Sequence, residues 1–233
     1  MAGVPAQITF LDEYNAKAQQ AALMMSVNGT LDHFPPATWQ CYTAAGAEAA
    51  AASNLSLWFG LGDEYHGIKG QMEDDGPNNF SVGHRRWILC PATQHMGTGD
   101  VPESGDFMAA NALWVIDDSP ADPRPLVRND FVAWPPSGYV PDNLVYGRWS
   151  FMLRDADFSA ATVSMRYGGN AVGVQLETPE EGACENTLVW IPDINLSGLN
   201  PNQDHRFDVE IANVLIDGQA RTFTYDVIVF MVD

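Results

Sequence analysis

Gly83-His84-Arg85-Arg86-Trp87-Ile88-Leu89-Cys90-Pro91, with Met96-Gly97-Thr98-Gly99 close behind it, sets an imidazole among bulky packing residues and follows it with a Gly-x-Gly step. A titratable ring in that company is a reactive group on a rigid support. His33, in Leu31-Asp32-His33-Phe34-Pro35-Pro36, is a second imidazole beside turn-forming residues. The two rings could converge on one cleft as metal ligands or as an acid-base pair. Spacing alone favours two separate, half-buried histidines.

The 233 residues are 46% hydrophobic, enough for a full core in one large or two modest domains. Thirty acidic residues against eleven basic ones give a formal charge of −19. That charge repels nucleic acid and anionic membranes, and with only two lysines, Lys17 and Lys69, it also fits adaptation to salty surroundings. No run is long and apolar enough to span a membrane, no signal peptide opens the chain, and Met1-Ala2-Gly3-Val4-Pro5 reads as a trimmed start. The three cysteines, Cys41, Cys90 and Cys184, allow one disulfide plus a free thiol or three buried thiols, without the spacing of structural zinc. Cys90, in Ile-Leu-Cys-Pro, reads as a structural residue at a buried strand end.

Periodicity divides the chain near residue 125. Asp12 to Asn28 repeats apolar residues at helical spacing and stops at Gly29, and an alanine-rich run from Ala44 to Phe59 opens after Thr43 and stops at Gly60. Asp63 to Met72 reads as a third short helix, and Arg86 to Leu89 and Ala112 to Ile116 read as buried strands. The connector Asp117-Asp118-Ser119-Pro120-Ala121-Asp122-Pro123-Arg124-Pro125 marks the boundary, and its aspartates lack the glycine-centred spacing of a calcium loop. Beyond it come strands at 149–153, 162–167, 171–176, 187–191, 207–214 and 222–232, with turns at Gly168-Gly169, Pro192-Asp193 and Asp217-Gly218. The expected class is α+β: a first domain over 1–120 and an antiparallel, Ig-like β-sandwich over 126–233, with Trp134 and Trp149 near the junction.

Ala2-Gly3-Val4-Pro5, Leu31-Asp32-His33, Ser53-Asn54-Leu55, Gly83-His84-Arg85 and Met96-Gly97-Thr98-Gly99 together resemble the bacterial branch of the CAP superfamily, which contains the cysteine-rich secretory, antigen 5 and pathogenesis-related proteins. The resemblance covers residues 2 to 116. It implies a secreted α-β-α sandwich whose cleft gathers two histidines and two acidic residues around a divalent cation. His33 and His84 match the histidines. Ser53 stands where the family has a glutamate, so Asp74 or Asp75 is the expected acidic ligand and Glu48, on the alanine-rich helix, the reserve. The family's helix before the Gly-x-Pro segment has no counterpart here, so the sheet face it would cover is expected to be taken by the second domain or by another copy of the chain.

Two functions from different classes follow. In the first, a secreted protein holds a divalent cation, Zn²⁺ or Ca²⁺, and an extracellular small molecule, glycan or peptide. In the second, His33, His84 and Glu48 work as a metal-assisted extracellular hydrolase, with zinc-bound water supplying hydroxide. No serine elbow, HExxH or paired-glutamate signature names a reaction. Trp39, Trp58 and Trp87 are candidates for lining the cleft, with core packing the alternative. Asn54 is expected to bond backbone in a turn, and Arg85 to pair with an acid.

Overall fold

The structure is a computed structural model that describes residues 1–60, 66–178 and 182–232. In chain order it contains β1 (Thr9–Phe10), α1 (Asp12–Asn28), α2 (Ala44–Ala52), β2 (Ser53–Trp58), α3 (His66–Glu73), α4 (Gly83–Ile88), β3 (His95–Val101), β4 (Ala109–Trp114), β5 (Val132–Trp134), β6 (Gly138–Pro141) and β7 (Trp149–Met152). The remaining strands are β8 (Thr162–Tyr167), β9 (Asn170–Val172), β10 (Val174–Leu176), β11 (Thr187–Pro192), β12 (His205–Ile216) and β13 (Gln219–Phe230). They group into two units. A helical unit holds Pro5–Met72 and Pro91–Pro125, and a two-sheet unit holds Met1–Val4, Glu73–Cys90 and Leu126–Asp233. Glu73–Cys90, placed by periodicity in a first domain over 1–120, thus packs within the two-sheet unit.

In the helical unit, α1 carries Asp12 and Glu13 in its first turn, where carboxylates favour the helix dipole. It ends where Gly29 turns left-handed (φ +64°) and its N–H closes on the Met25 and Ser26 carbonyls. Tyr14, Ala18, Ala21, Ala22 and Met25 form its buried stripe. The sheet beneath has the order β1-β3-β4-β2, with β1 and β3 parallel and the other pairs antiparallel. Gly97 and Gly99 explain the close fit, because a Cβ on Gly99 would enter the backbone of Ala18 and Gln19, and one on Gly97 would meet Tyr14. Tyr14 stacks on Trp114 with ring centroids 4.3 Å apart, joining helix to sheet.

The alanine-rich run stops being helical earlier than its composition indicates. Thr43 caps α2 by accepting the Gly46 N–H at 2.9 Å, but the helix ends at Ala52. Ser53–Trp58 then pairs in register with Ala109–Trp114 as β2, so the expected helix to Phe59 is corrected. Asn54 therefore sits in a buried strand, not in a turn. Across the sheet from α1, Asn111 and Ser56 meet Gln71 of α3, giving a three-layer arrangement with a polar second interface. The start of the expected third helix, Asp63 to Tyr65, lies outside the described residues.

The two-sheet unit has one sheet in the order β10-β11-β7-β5 and another in the order β6-β13-β12-β8-β9. Both contribute to one hydrophobic cluster, with Trp149, Phe151 and Trp190 from the first and Phe207, Ile211 and Val227 from the second. Strand β12 alternates buried and exposed positions from His205 to Glu210, the pattern of a sheet with one wet face. Asp217 and Gly218, both at positive φ, close the β12–β13 hairpin, as Gly168 and Gly169 close β8–β9. One edge departs from the antiparallel expectation. β6 runs parallel to β13, a pairing that the long stretch of chain between them permits and a short hairpin would not. A disulfide links Cys90 to Cys184, while Cys41 is exposed and free. No described helix is long and apolar enough to cross a membrane.

Candidate functional site

Residues 83 to 88, whose last part was expected as a strand, form the short helix α4. A run of four apolar or bulky residues satisfies either periodicity, and here the deciding contact comes from Asp74, nine residues before the helix. Asp74 stands at φ +55° with its side chain fully buried. Its Oδ2 accepts the backbone N–H of His84 at 3.0 Å and of Arg85 at 3.4 Å, serving N–H groups that the first turn of a helix leaves open. Its Oδ1 lies 2.7 Å from His84 Nδ1.

That contact sets the tautomer of His84. A carboxylate only accepts, so in the neutral ring Nδ1 carries the proton and Nε2 carries the basic lone pair. The ring stays partly exposed while its carboxylate partner is buried, which fixes the orientation of the imidazole without removing it from solvent. Such a ring can take up a proton, accept a hydrogen bond or donate to a metal through Nε2.

Arg85 turns the other way, into the interior. Its guanidinium donates to the Arg148 carbonyl and the Glu73 carbonyl, both at 2.9 Å, and to Ser150 Oγ at 3.3 Å, and it lies 5.6 Å from the Tyr146 ring centroid. These hydrogen bonds run to carbonyl and hydroxyl oxygens, with the Asp74 carboxylate near enough to favour the charge. Burial pulls the guanidinium down to about 10, with the Asp74 carboxylate opposing the shift, so it is charged at neutral pH. Arg148 ties the same corner by donating to Glu177 Oε1 at 3.1 Å and to the Asp74 carbonyl at 3.2 Å.

The other expected site residues are in different settings. Asp75 is almost fully exposed, 3.9 Å from Arg148 Nη1. Glu48, in the helical unit, bonds Lys17 Nζ at 2.8 Å, and Lys17 also holds Glu13 at 2.8 Å. Those two hydrogen bonds raise the Lys17 ammonium above its ordinary range. His33 belongs to the helical unit, where it is exposed and its Nδ1 lies 2.7 Å from the Ala50 carbonyl, so its neutral form also places the lone pair on Nε2. Trp39 packs against the helical unit's core, and Trp58 lies 5.3 Å from the His66 ring. Among the described residues, no group of three or more His, Cys, Asp or Glu is arranged to hold a metal ion.

A cluster that the sequence analysis did not assemble lies in the helical unit. His95 Nδ1 is 3.2 Å from Asp117 Oδ1 and 3.2 Å from Ser119 Oγ. The three residue types are those of a hydrolytic triad, but there serine and aspartate occupy opposite ring nitrogens, whereas here both crowd Nδ1. The cluster is a clasp. Asp117 accepts the backbone N–H groups of Gln94, His95 and Ser119, fastening the connector to the start of β3. Burial pushes the Asp117 carboxyl up, but those three N–H groups and His95 outweigh it and hold the carboxyl below its usual range. His205, in the two-sheet unit, is buried between the Asn200 carbonyl and Tyr167 Oη, each at 2.8 Å, as a packing residue.

Residues 1–116 match the family model of CAP, the cysteine-rich secretory protein family. No curated protein and no solved structure matches the chain.

Proposed function

We propose that this chain, whose residues 1–116 belong to the cysteine-rich secretory protein family, is an extracellular binding protein whose ligand meets Nε2 of His84. One observation carries the reading: the fully buried Asp74 carboxylate lies 2.7 Å from His84 Nδ1, holding a partly exposed ring in one tautomer and orientation. The Cys90–Cys184 disulfide supports an oxidising location. The charge of −19 favours a neutral or cationic ligand over a polyanion. A ligand hydroxyl or amide N–H on a small molecule, glycan or peptide can donate to Nε2. The two-sheet unit, read as an Ig-like module, itself carries that site, because Glu73–Cys90 packs within it.

The cation expected from the family would use the same atom, since an imidazole whose Nδ1–H is held by a carboxylate is a typical zinc donor. The donor set described around it is incomplete. Asp74 already serves three N–H groups, Asp75 faces solvent, and Glu48 is engaged by Lys17. A hydrolase reading has one observation in its favour, because a His-Asp pair also orients a general base.

The test measures binding and turnover together. Wild type, His84→Gln and Asp74→Asn are titrated with Zn²⁺ and screened against immobilised glycans, lipid vesicles and peptide pools, with His33→Ala reporting on the imidazole of the helical unit. The proposal expects whatever wild type captures to be released unaltered and held about tenfold or more weakly by His84→Gln. Equal capture by His84→Gln overturns it, and turnover of the captured compound replaces it with the hydrolase reading.

A further inference from the structure

The outer face of the five-stranded sheet in the two-sheet unit carries side chains that its core does not use. Register places them in rows. Tyr139, Ile228 and Arg206 lie side by side across β6, β13 and β12. The next row is Asp226, Asp208 and Arg166 across β13, β12 and β8, and beyond it come Thr224, Glu210 and Ser164. The opposite faces of these strands, at Phe207, Val209, Tyr225 and Val227, belong to the hydrophobic cluster, so the rows project to the outside. Arg206 Nε donates to Asp208 Oδ1 at 2.9 Å. The charged rows line a concavity of about 400 Å³, within the size range of small-ligand sites. Outside that lining, two strands from Arg206 in the first row, Tyr139 is 62% exposed, with its ring centroid 6.4 Å from that of Phe230.

We infer that this face binds a neutral oligosaccharide, with the Tyr139 ring stacking on a sugar and Asp208, Asp226, Arg166 and Arg206 hydrogen-bonding its hydroxyls. Sugars present an apolar C–H face and an edge of hydroxyls that both donate and accept. The face offers the matching pair: an exposed aromatic ring with Ile228 beside it, then planar donors and planar acceptors in adjacent rows. Other occupants fit less well. A metal ion meets carboxylates already opposed by guanidinium groups, since Asp208 lies beside both Arg206 and Arg166. A second copy of the chain would bury a central row of charge, which protein interfaces deplete. Nucleic acid is repelled by the charge of −19. This site is separate from His84 and does not rest on its reading.

The full chain, isotopically labelled, is titrated with cellohexaose, xylohexaose, maltohexaose and a hexamer of N-acetylglucosamine, each to about 5 mM, which admits affinities as weak as about 1 mM. At least one is expected to shift amide signals on β6, β8, β12 and β13. Tyr139→Ala and Asp226→Ala should each weaken that binding about tenfold or more while leaving the melting temperature unchanged, because both side chains lie on the solvent face. His84→Gln should leave it intact. The inference is overturned if none of the four sugars shifts this face, if the shifts lie elsewhere, or if Tyr139→Ala binds as wild type. Shifts that follow protein concentration instead of sugar replace it with self-association, and shifts given only by a Lys-rich control peptide replace it with a peptide-binding face.

Discussion

Removing the Cys90–Cys184 disulfide should destabilise the two-sheet unit far more than any single surface change. The bond joins residues 94 apart in sequence and fastens the chain just after α4 to the segment leading into β11. In the chain-entropy treatment a loop of that length restricts the unfolded state by about 4.7 kcal/mol, and removal of native disulfides costs about 2–5 kcal/mol. Noncovalent contacts hold part of the same junction, including Arg86 Nη2 on the Glu185 carbonyl at 3.0 Å. The expected loss for Cys90→Ser/Cys184→Ser is therefore about 3–4 kcal/mol, or roughly 10 °C in melting temperature. Urea unfolding followed by tryptophan fluorescence reports it, since Trp149 and Trp190 are fully buried in that unit's core. Cys41→Ser, at an exposed free thiol, is the control and should change nothing. A double variant within about 1 kcal/mol of wild type would show that the cross-link does not hold the unit together.

Other outcomes follow from single contacts. Asp74→Ala should cost about 3 kcal/mol in chemical denaturation, because three N–H groups lose their acceptor in a buried setting, while Asp74→Asn, which keeps a carbonyl, should cost less. Gly99→Ala should destabilise the helical unit by about 2–3 kcal/mol by pushing α1 off the sheet, as thermal unfolding would show. Asp117 has a carboxyl held below its usual range, so its contribution is present above the unfolded value near 4 and is lost as pH falls through the lower folded value. Acid unfolding of Asp117→Asn should accordingly show a shallower loss of stability below about pH 4 than wild type.

What the chain made legible was local. Helix α1 could be read from end to end because its periodicity and its stop at Gly29 are both short-range signals. Strands β8 and β11 and both Gly-containing hairpin turns were legible for the same reason. The misreadings involve partners distant in sequence. Ser53–Trp58 continues an alanine-rich helix by composition, but pairing with Ala109–Trp114 makes it a strand. β5 and β6 lie in a proline-rich stretch and exist through pairing with β7 and β13. Residues 171–176, read as one strand, divide at Gly173 into β9 and β10, which join different sheets. At the site, Asp74 and His84 stood out by residue type, but the role of Asp74 depends on a left-handed turn that aims both its oxygens at α4. The Asp117 clasp was hidden because its donors lie 22 residues back in the chain and two residues ahead.

Asp74 holds neutral His84 with its proton on Nδ1 and its lone pair on Nε2. A long-range proton–nitrogen correlation spectrum of the histidine side chains, recorded on the neutral protein, distinguishes the two tautomers directly. Wild type should show Nδ1–H for His84, and Asp74→Ala should lose that preference. A His84 ring protonated on Nε2 in the wild-type protein would contradict it.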